Sequence, residues 1–185
     1  DTGYKVCQKV RPKNLHDLSA VLALARPGAL AFADQYAKFS NTGETTSIHP
    51  FFDEVLGWTG SIPLYQEQLI GMARKIGFTA DEGEQLRRIV GKKKVDQMKE
   101  WQEKISAKVK ENSLDPKIGE ILWKVAEDSA NYSFNASHSY CYSICSFYTA
   151  YCKVHHPKEF FLALLRMSQH EPDSFVEIFK ISQEL

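Results

Sequence analysis

Asp115-Pro116-Lys117-Ile118-Gly119-Glu120-Ile121-Leu122-Trp123-Lys124-Val125-Ala126 is the stretch that decides the fold class. Asp115 offers a side-chain oxygen to cap a helix start. Pro116 suits the first helical position, where its missing N–H is not needed and its φ is already set. Behind them Ile118, Ile121, Leu122, Val125 and Ala126 recur at i, i+3, i+4, i+7 and i+8. That spacing draws one apolar stripe along a helix, and the stripe must be buried against other elements.

The same grammar runs outward in both directions. Upstream, Thr79-x-x-Glu82 forms a capping box, and Gly91 can close the helix it opens. A long polar helix over roughly Val95–Glu111 fills the interval to Asp115. Asn14, with Asp17 three residues on, starts a helix through the apolar run Leu18–Ala25, which Pro27-Gly28 stops. A short helix is predicted over Leu30–Phe39, then turn over Ser40–Gly43. Thr45–Gly60 reads as loop around one apolar knot, Phe51-Phe52. Pro63 is placed in the first turn of a helix over Leu64–Ile76. Downstream, Ser137 can cap a helix to about Val154, Pro157 begins another through Met167, and Pro172 the last. No period-2 strand, internal repeat or low-complexity tract is present. The expectation is an all-α fold: a single multi-helix domain over residues 1–185, in a non-bundle arrangement, with Arg26-Pro27-Gly28 and Gly91 at helix ends.

Composition narrows the function classes. The chain has 185 residues, 43% of them apolar, enough for a real core. Its longest apolar stretch, Ala20–Ala25, is far short of the ~20 residues a membrane helix needs and too short for a signal peptide. No membrane partner is expected. The first residue is Asp1, which suggests a piece of something larger. Lys and Arg number 23 and Asp and Glu 23, so the net charge is zero, unlike a free-standing nucleic-acid binder. Between Arg87 and Glu111, however, nine basic residues face four acidic ones. Such a local stripe suits a site that meets phosphate in one place. Of the four cysteines, Cys141, Cys145 and Cys152 fall at helical spacing. They read with Cys7 as reduced, buried thiols of a cytoplasmic protein. His138-x-x-Cys141-x-x-x-Cys145 matches no zinc spacing, and no tightly bound metal is expected.

Four motifs carry possible chemistry. Leu86-Arg87-Arg88-Ile89-Val90-Gly91-Lys92-Lys93-Lys94 gathers five basic residues around a helix-ending glycine. Arginine forks match phosphate oxygens and lysines supply point charges, so a compact polyanion such as a nucleoside triphosphate fits. A solvated basic face fits as well. It is not a P-loop, because Leu86 and Lys93 stand where that pattern needs Gly and Ser or Thr. Arg87 and Arg88 lie about 100° apart on a helix, so both are not expected to reach one phosphate. Tyr65-Gln66-Glu67-Gln68 opens a helix with polar residues that can cap it or point into a groove. Tyr132-Ser133-Phe134-Asn135-Ala136-Ser137-His138-Ser139 precedes an aromatic-rich helix (Tyr140, Tyr142, Phe147, Tyr148, Tyr151). These aromatics can stack on a base or fill the core. Ala25-Arg26-Pro27-Gly28 is a helix stop bearing one arginine.

In this order and spacing the motifs resemble the fingers region of the bacterial C-family replicative DNA polymerases, the DNA polymerase III alpha type. That family carries A-L-x-R-P-G, Y-Q-E-Q, L-R-R-x-x-G-K-K-K, Y-x-F-N-x-S-H and Y-x-T-A-Y-x-K, then Pro-x-Glu-Phe. Here these are Ala23–Gly28, Tyr65–Gln68, Leu86–Lys94, Tyr132–His138, Phe147–Lys153 and Pro157–Phe160. Ser133 and Ala136 replace a Gly and a Lys or Arg common in the family, and Cys152 replaces a Leu. These departures mark a divergent member, cellular or phage-encoded.

The resemblance implies a division of labour. The palm of such a polymerase holds the metal-binding aspartates as Asp-x-Asp, a pattern this chain does not contain. Catalytic residues are therefore expected elsewhere, together with the magnesium of the intact polymerase; the fragment itself takes no cofactor. Arg87, Arg88, Lys92, Lys93, Lys94, Asn135 and His138 are implied to bind the incoming dNTP through its phosphates. Arg26, Gln66, Gln68 and Ser137 are implied as further contacts to DNA or nucleotide. Implied partners are primer-template DNA, the palm of the same polymerase, and the sliding clamp and other replisome subunits, in the bacterial cytoplasm. The isolated chain is expected to be inactive in primer extension. Competing readings are a non-enzymatic helical module that binds nucleic-acid backbone, and a structural domain with a solvated basic face.

Overall fold

The computed structural model describes residues 2–92, 95–130 and 133–184, the side chains of residues 95 and 96 excepted. Lys93, Lys94 and Tyr132 lie outside the described residues. Eleven α-helices form among them and no strand. They are α1 (Thr2–Val10), α2 (Leu15–Leu24), α3 (Ala33–Thr42), α4 (Asp53–Leu56), α5 (Gln66–Ile76), α6 (Ala80–Gly91), α7 (Val95–Glu111), α8 (Pro116–Ser129), α9 (Ala136–His155), α10 (Pro157–Ser168) and α11 (Ser174–Glu184). The fold is all-α, as the capping signals predict. No helix among the described residues is long and apolar enough to cross a membrane. The chain divides into two compact units, up to Cys141 and from Tyr142.

Asn14, Thr79 and Asp115 cap the helices predicted for them. Asn14 Oδ1 accepts from the Asp17 N–H at 2.8 Å, and Asp115 accepts from Lys117 N–H at 2.9 Å. At α6, Thr79 Oγ1 accepts from Glu82 N–H while Glu82 accepts from Thr79 N–H at 2.7 Å. Each bond satisfies a backbone donor that a helix start leaves unpaired.

The first unit holds two cores. One gathers Phe52, Leu56, Leu69, Met72, Ile76, Leu86, Trp101, Ile105, Ile118 and Leu122, from α4 through α8. The other gathers Val6, Val10, Val21, Leu24, Tyr36, Ile62, Leu64 and Tyr65, from α1 to α3 and the extended segment before α5. The stripe of α8 goes inside as its spacing requires, with Ile118, Leu122, Val125 and Ala126 buried.

Residues 57–68 connect the cores. Gly60 takes φ +65, and a Cβ there would lie 2.5 Å from Phe39 Cγ, so glycine is required on both counts. Gln68 is buried; its carbonyl oxygen accepts from Tyr65 N–H at 2.9 Å and its amide donates to Thr59 Oγ1 at 2.6 Å. The Tyr65 ring stacks on Trp58 with centroids 5.3 Å apart, and its hydroxyl bonds Ser19 Oγ at 2.8 Å.

Several local expectations are corrected. Helix α3 runs through Ser40–Thr42 and closes on left-handed Gly43, where turn was predicted. Residues 45–60 are not plain loop: Pro50–Phe52 and Gly57–Thr59 are 3₁₀ turns flanking α4, each too short to show a period. Pro63 precedes its helix rather than opening it. Tyr65 is held extended by a parallel bridge to Phe134, in which Phe134 N–H donates to Leu64 and Gln66 N–H to Phe134. Helix α1, for which no signal was read, forms on Val6 and Val10, one apolar pair at i, i+4.

The second unit combines the rest of α9 with α10 and α11. Phe161 and Ser168 are buried, whereas Phe175, Val154 and Met167 are exposed. Tyr142, Phe147, Tyr148 and Tyr151 are also exposed, so these aromatics do not fill a core. Nor are the thiols buried: Cys7 is half-buried and Cys141, Cys145 and Cys152 are exposed. Helical spacing sets which residues share a face, not what covers it.

Candidate functional site

The last turns of α6 present the basic residues. Leu86 and Val90 are buried against α5 and α8, which turns Arg87 and Arg88 outward. Both guanidinium groups meet Glu84. Arg87 donates from Nε to Oε2 at 2.7 Å and from Nη2 to Oε1 at 2.6 Å; Arg88 donates from Nε to Oε1 at 2.7 Å. Two arginines about 100° apart on one helix thus converge on one carboxylate of that same helix. The anion lies one turn back, and long stems bend toward it. Hydrogen bonding from Arg87, and then from Arg88, pulls the Glu84 carboxyl down to about 2. The Arg87 guanidinium is held more firmly charged, first by the bond to Glu84, with Glu67 adding to the same field. Lys92 caps the helix and is exposed.

Glu67, in the first turn of α5, holds the start of α9. Its Oε1 accepts from Asn135 Nδ2 at 2.9 Å, and its two oxygens lie 3.1 and 3.0 Å from the Ala136 N–H. A carboxylate is favoured at a helix N-terminus, where unpaired N–H groups and the helix dipole point outward. Asn135 Oδ1 accepts from His138 N–H at 2.8 Å, so Asn135 caps α9, and Ser137, the predicted cap, is an exposed first-turn residue. Arg26 lies over the Phe134 ring, 5.0 Å from its centroid, and that ring meets His138 edge-on at 5.5 Å.

The predicted residues therefore fall into two groups within the first unit. Arg87, Arg88 and Lys92 stand at the end of α6. Arg26, Phe134, Asn135, Ser137 and His138 gather at the start of α9. Gln66 is half-buried beside them and gives its N–H to Phe134. Gln68 belongs to neither group: buried, with its carboxamide committed to Tyr65 and Thr59, it is an internal brace and not an external contact. Reading the sequence missed the two carboxylates that organise the groups. For Glu84 the signal was present, three and four residues before Arg87 and Arg88. For Glu67 none was, since its partners lie 68 and 69 residues away.

The model of the family described as "Bacterial DNA polymerase III alpha subunit finger domain" matches residues 2–113. The chain belongs to that family. Three of its relatives show the extent of the likeness. The DNA polymerase III subunit alpha of Thermus aquaticus is 33% identical over 187 residues, covering 95% of this chain and 15% of that protein. That of Aquifex aeolicus is 37% identical over 182 residues, with the same two shares. An error-prone DNA polymerase of Nocardia farcinica is 34% identical over 177 residues, covering 91% of this chain and 15% of its own length. This finger-domain chain thus spans about 15% of the length of the curated relatives it matches. The family match takes in Arg26, Glu67, Glu84, Arg87, Arg88 and Lys92. The start of α9 lies beyond it, within the longer matches to the whole relatives, which cover 95% of the chain.

Proposed function

We propose that this chain is the fingers part of a DNA-directed DNA polymerase that binds the triphosphate of the incoming deoxynucleotide and covers the nascent base pair. The observation that carries the reading is the end of α6, where exposed Arg88 and Lys92 stand beside the half-buried Arg87. Fixed cationic donors aimed at phosphate oxygens bind the triphosphate and offset charge that grows on the leaving pyrophosphate. Lys93 and Lys94 belong to the same basic run. Asn135 and His138 approach from the start of α9. Arg26 and Gln66, which meet Phe134, and Ser137 beside them offer contacts to the base pair or the DNA backbone.

In this reading the metal chemistry belongs to acidic residues outside the chain. The chain has no Asp-x-Asp, and its described residues show no group of three or more His, Cys, Asp or Glu placed to hold an ion. The chain's own residues bind, orient and neutralise. The palm of the same polymerase, primer-template DNA, and the sliding clamp with the rest of a cytoplasmic replisome are the partners the reading requires.

The test is Arg88→Ala and Lys92→Ala in the intact polymerase, read by single-nucleotide incorporation and a thermal melt. A charge-assisted contact contributes roughly 1.5–3 kcal/mol, so each variant should lower incorporation efficiency about tenfold to a hundredfold with the melt unchanged. Full incorporation by both variants would reduce the basic run to a solvated face.

A further inference from the structure

We propose that Glu84 is a positioning residue that divides the two arginines, fixing Arg87 as a brace and aiming Arg88 at phosphate. The inference rests on the reading of α6 as a triphosphate site and goes beyond it by giving the paired arginines different tasks.

The geometry distinguishes them. Arg87 spends its fork on Glu84, with Nε and Nη2 each bonded to a different carboxylate oxygen. Its side chain is only 26% exposed. Arg88 engages the same carboxylate through Nε alone, and its side chain is 66% exposed. A bidentate pair fixes the plane of a guanidinium. A single bond at Nε fixes the stem of an arginine and leaves the terminal nitrogens to point onward. Glu84 Oε1 accepts from both arginines, so the orientation of Arg88 depends on a carboxylate that Arg87 holds in place.

The charges continue the pattern. Arg88, Glu84, Arg87 and Glu67 alternate in sign, and Glu67 ends on Asn135 and on the first N–H of α9. The start of α9 is thereby held on α5 by bonds to Glu67, and Arg88 is held separately on α6 by its bond to Glu84. A phosphate contact on Arg88 and one on Asn135 or His138 can then be made without reordering either. Preorganisation of this kind strengthens binding by removing the cost of ordering a long side chain when the ligand arrives.

The opposite arrangement would make Glu84 a stand-in for phosphate, released when the triphosphate binds. The bidentate bond and partial burial of Arg87 favour the brace, because releasing it would break two charged bonds and leave a partly desolvated guanidinium to be paired again.

The experiment is Glu84→Gln in the intact polymerase, with kcat and KM for the incoming nucleotide measured separately and compared with Arg88→Ala and the double variant. A brace predicts a KM raised about tenfold, kcat within about twofold, and a double variant no worse than Arg88→Ala, since Glu84 acts through Arg88. Glu84→Asp keeps the charge on a shorter stem and should give an intermediate KM; it serves alone if the Gln variant does not fold. A lower KM in Glu84→Gln would show the carboxylate competing with the triphosphate and overturn the brace. So would a changed melt with KM untouched. If Arg88→Ala weakens incorporation and the Glu84 variants do not, only the brace fails. If Arg88→Ala and Lys92→Ala both leave incorporation intact, the triphosphate site fails and the brace with it.

Discussion

Asn135 donates its side-chain amide to Glu67 at 2.9 Å, across 68 residues of sequence. With the Ala136 N–H bonded to the same carboxylate, Glu67 holds the start of α9 against the start of α5. Glu67→Ala removes a helix-terminal anion and a charged bond together. The variant should lose about 1–2 kcal/mol in chemical denaturation, and Glu67→Gln, which can still accept, should lose less. Equal losses would mean that the charge contributes nothing.

Gln68 tests the connection between the cores. Gln68→Leu keeps the volume but leaves the Tyr65 N–H buried without its acceptor. A loss of about 1–3 kcal/mol is expected in an equilibrium melt, with nucleotide incorporation by the intact polymerase unchanged. Impaired incorporation at full stability would restore Gln68 to the contact surface.

Gly60→Ala should destabilise by about 1–3 kcal/mol. The left-handed backbone resists a side chain, and the new methyl would meet the ring of Phe39. Pairing it with Phe39→Ala removes the steric part, so the double variant should lose less than the sum of the singles.

Acid reports on Glu84. Its carboxyl titrates near 2 in the folded chain against an ordinary 4.5. Between those values the unfolded chain binds more protons, so the contribution of the pair is present above about pH 4.5 and is lost as pH falls toward 2. Glu82, lowered by the Thr79 backbone, slopes the same way. Denaturant melts at pH 5 and pH 3 should therefore differ more in the parent chain than in Glu84→Gln. Alkali acts on Tyr65, which burial pushes up to about 12 from 10. Its share of stability is whole below pH 10 and is lost as pH rises through 12; Tyr36 and Tyr140, raised by burial as well, slope the same way, so Tyr65→Phe should make that limb shallower without removing it.

Legibility in the sequence followed the range of the interactions. Asn14, Thr79-x-x-Glu82 and Asp115-Pro116 act on backbone two or three residues away, and each opens the helix predicted for it. The stripe of α8 is buried as drawn except at Ile121, which packs partly buried against the same core. What escaped depends on distant partners. The start of α5 is delayed by pairing with Phe134, the cap of α9 is chosen together with Glu67, and the exposure of Cys141, Cys145 and Cys152 depends on what lies over α9. The basic run was visible, but not the carboxylate that orders it.

The two cores of the first unit also differ in time. One is closed by α4 to α8, which follow one another along the chain, so most of its contacts span short loops. The other needs Phe134 and Ala136 to return to Leu64 and Tyr65 from some seventy residues away. Short loops close at lower entropic cost than long ones, and contacts of low sequence separation form early. On refolding, amides of α5, α6 and α8 should gain protection from hydrogen exchange first. The Gln66 and Ala136 amides should follow, so that the seating of the start of α9 beside Tyr65 and Glu67 is the last thing this unit acquires.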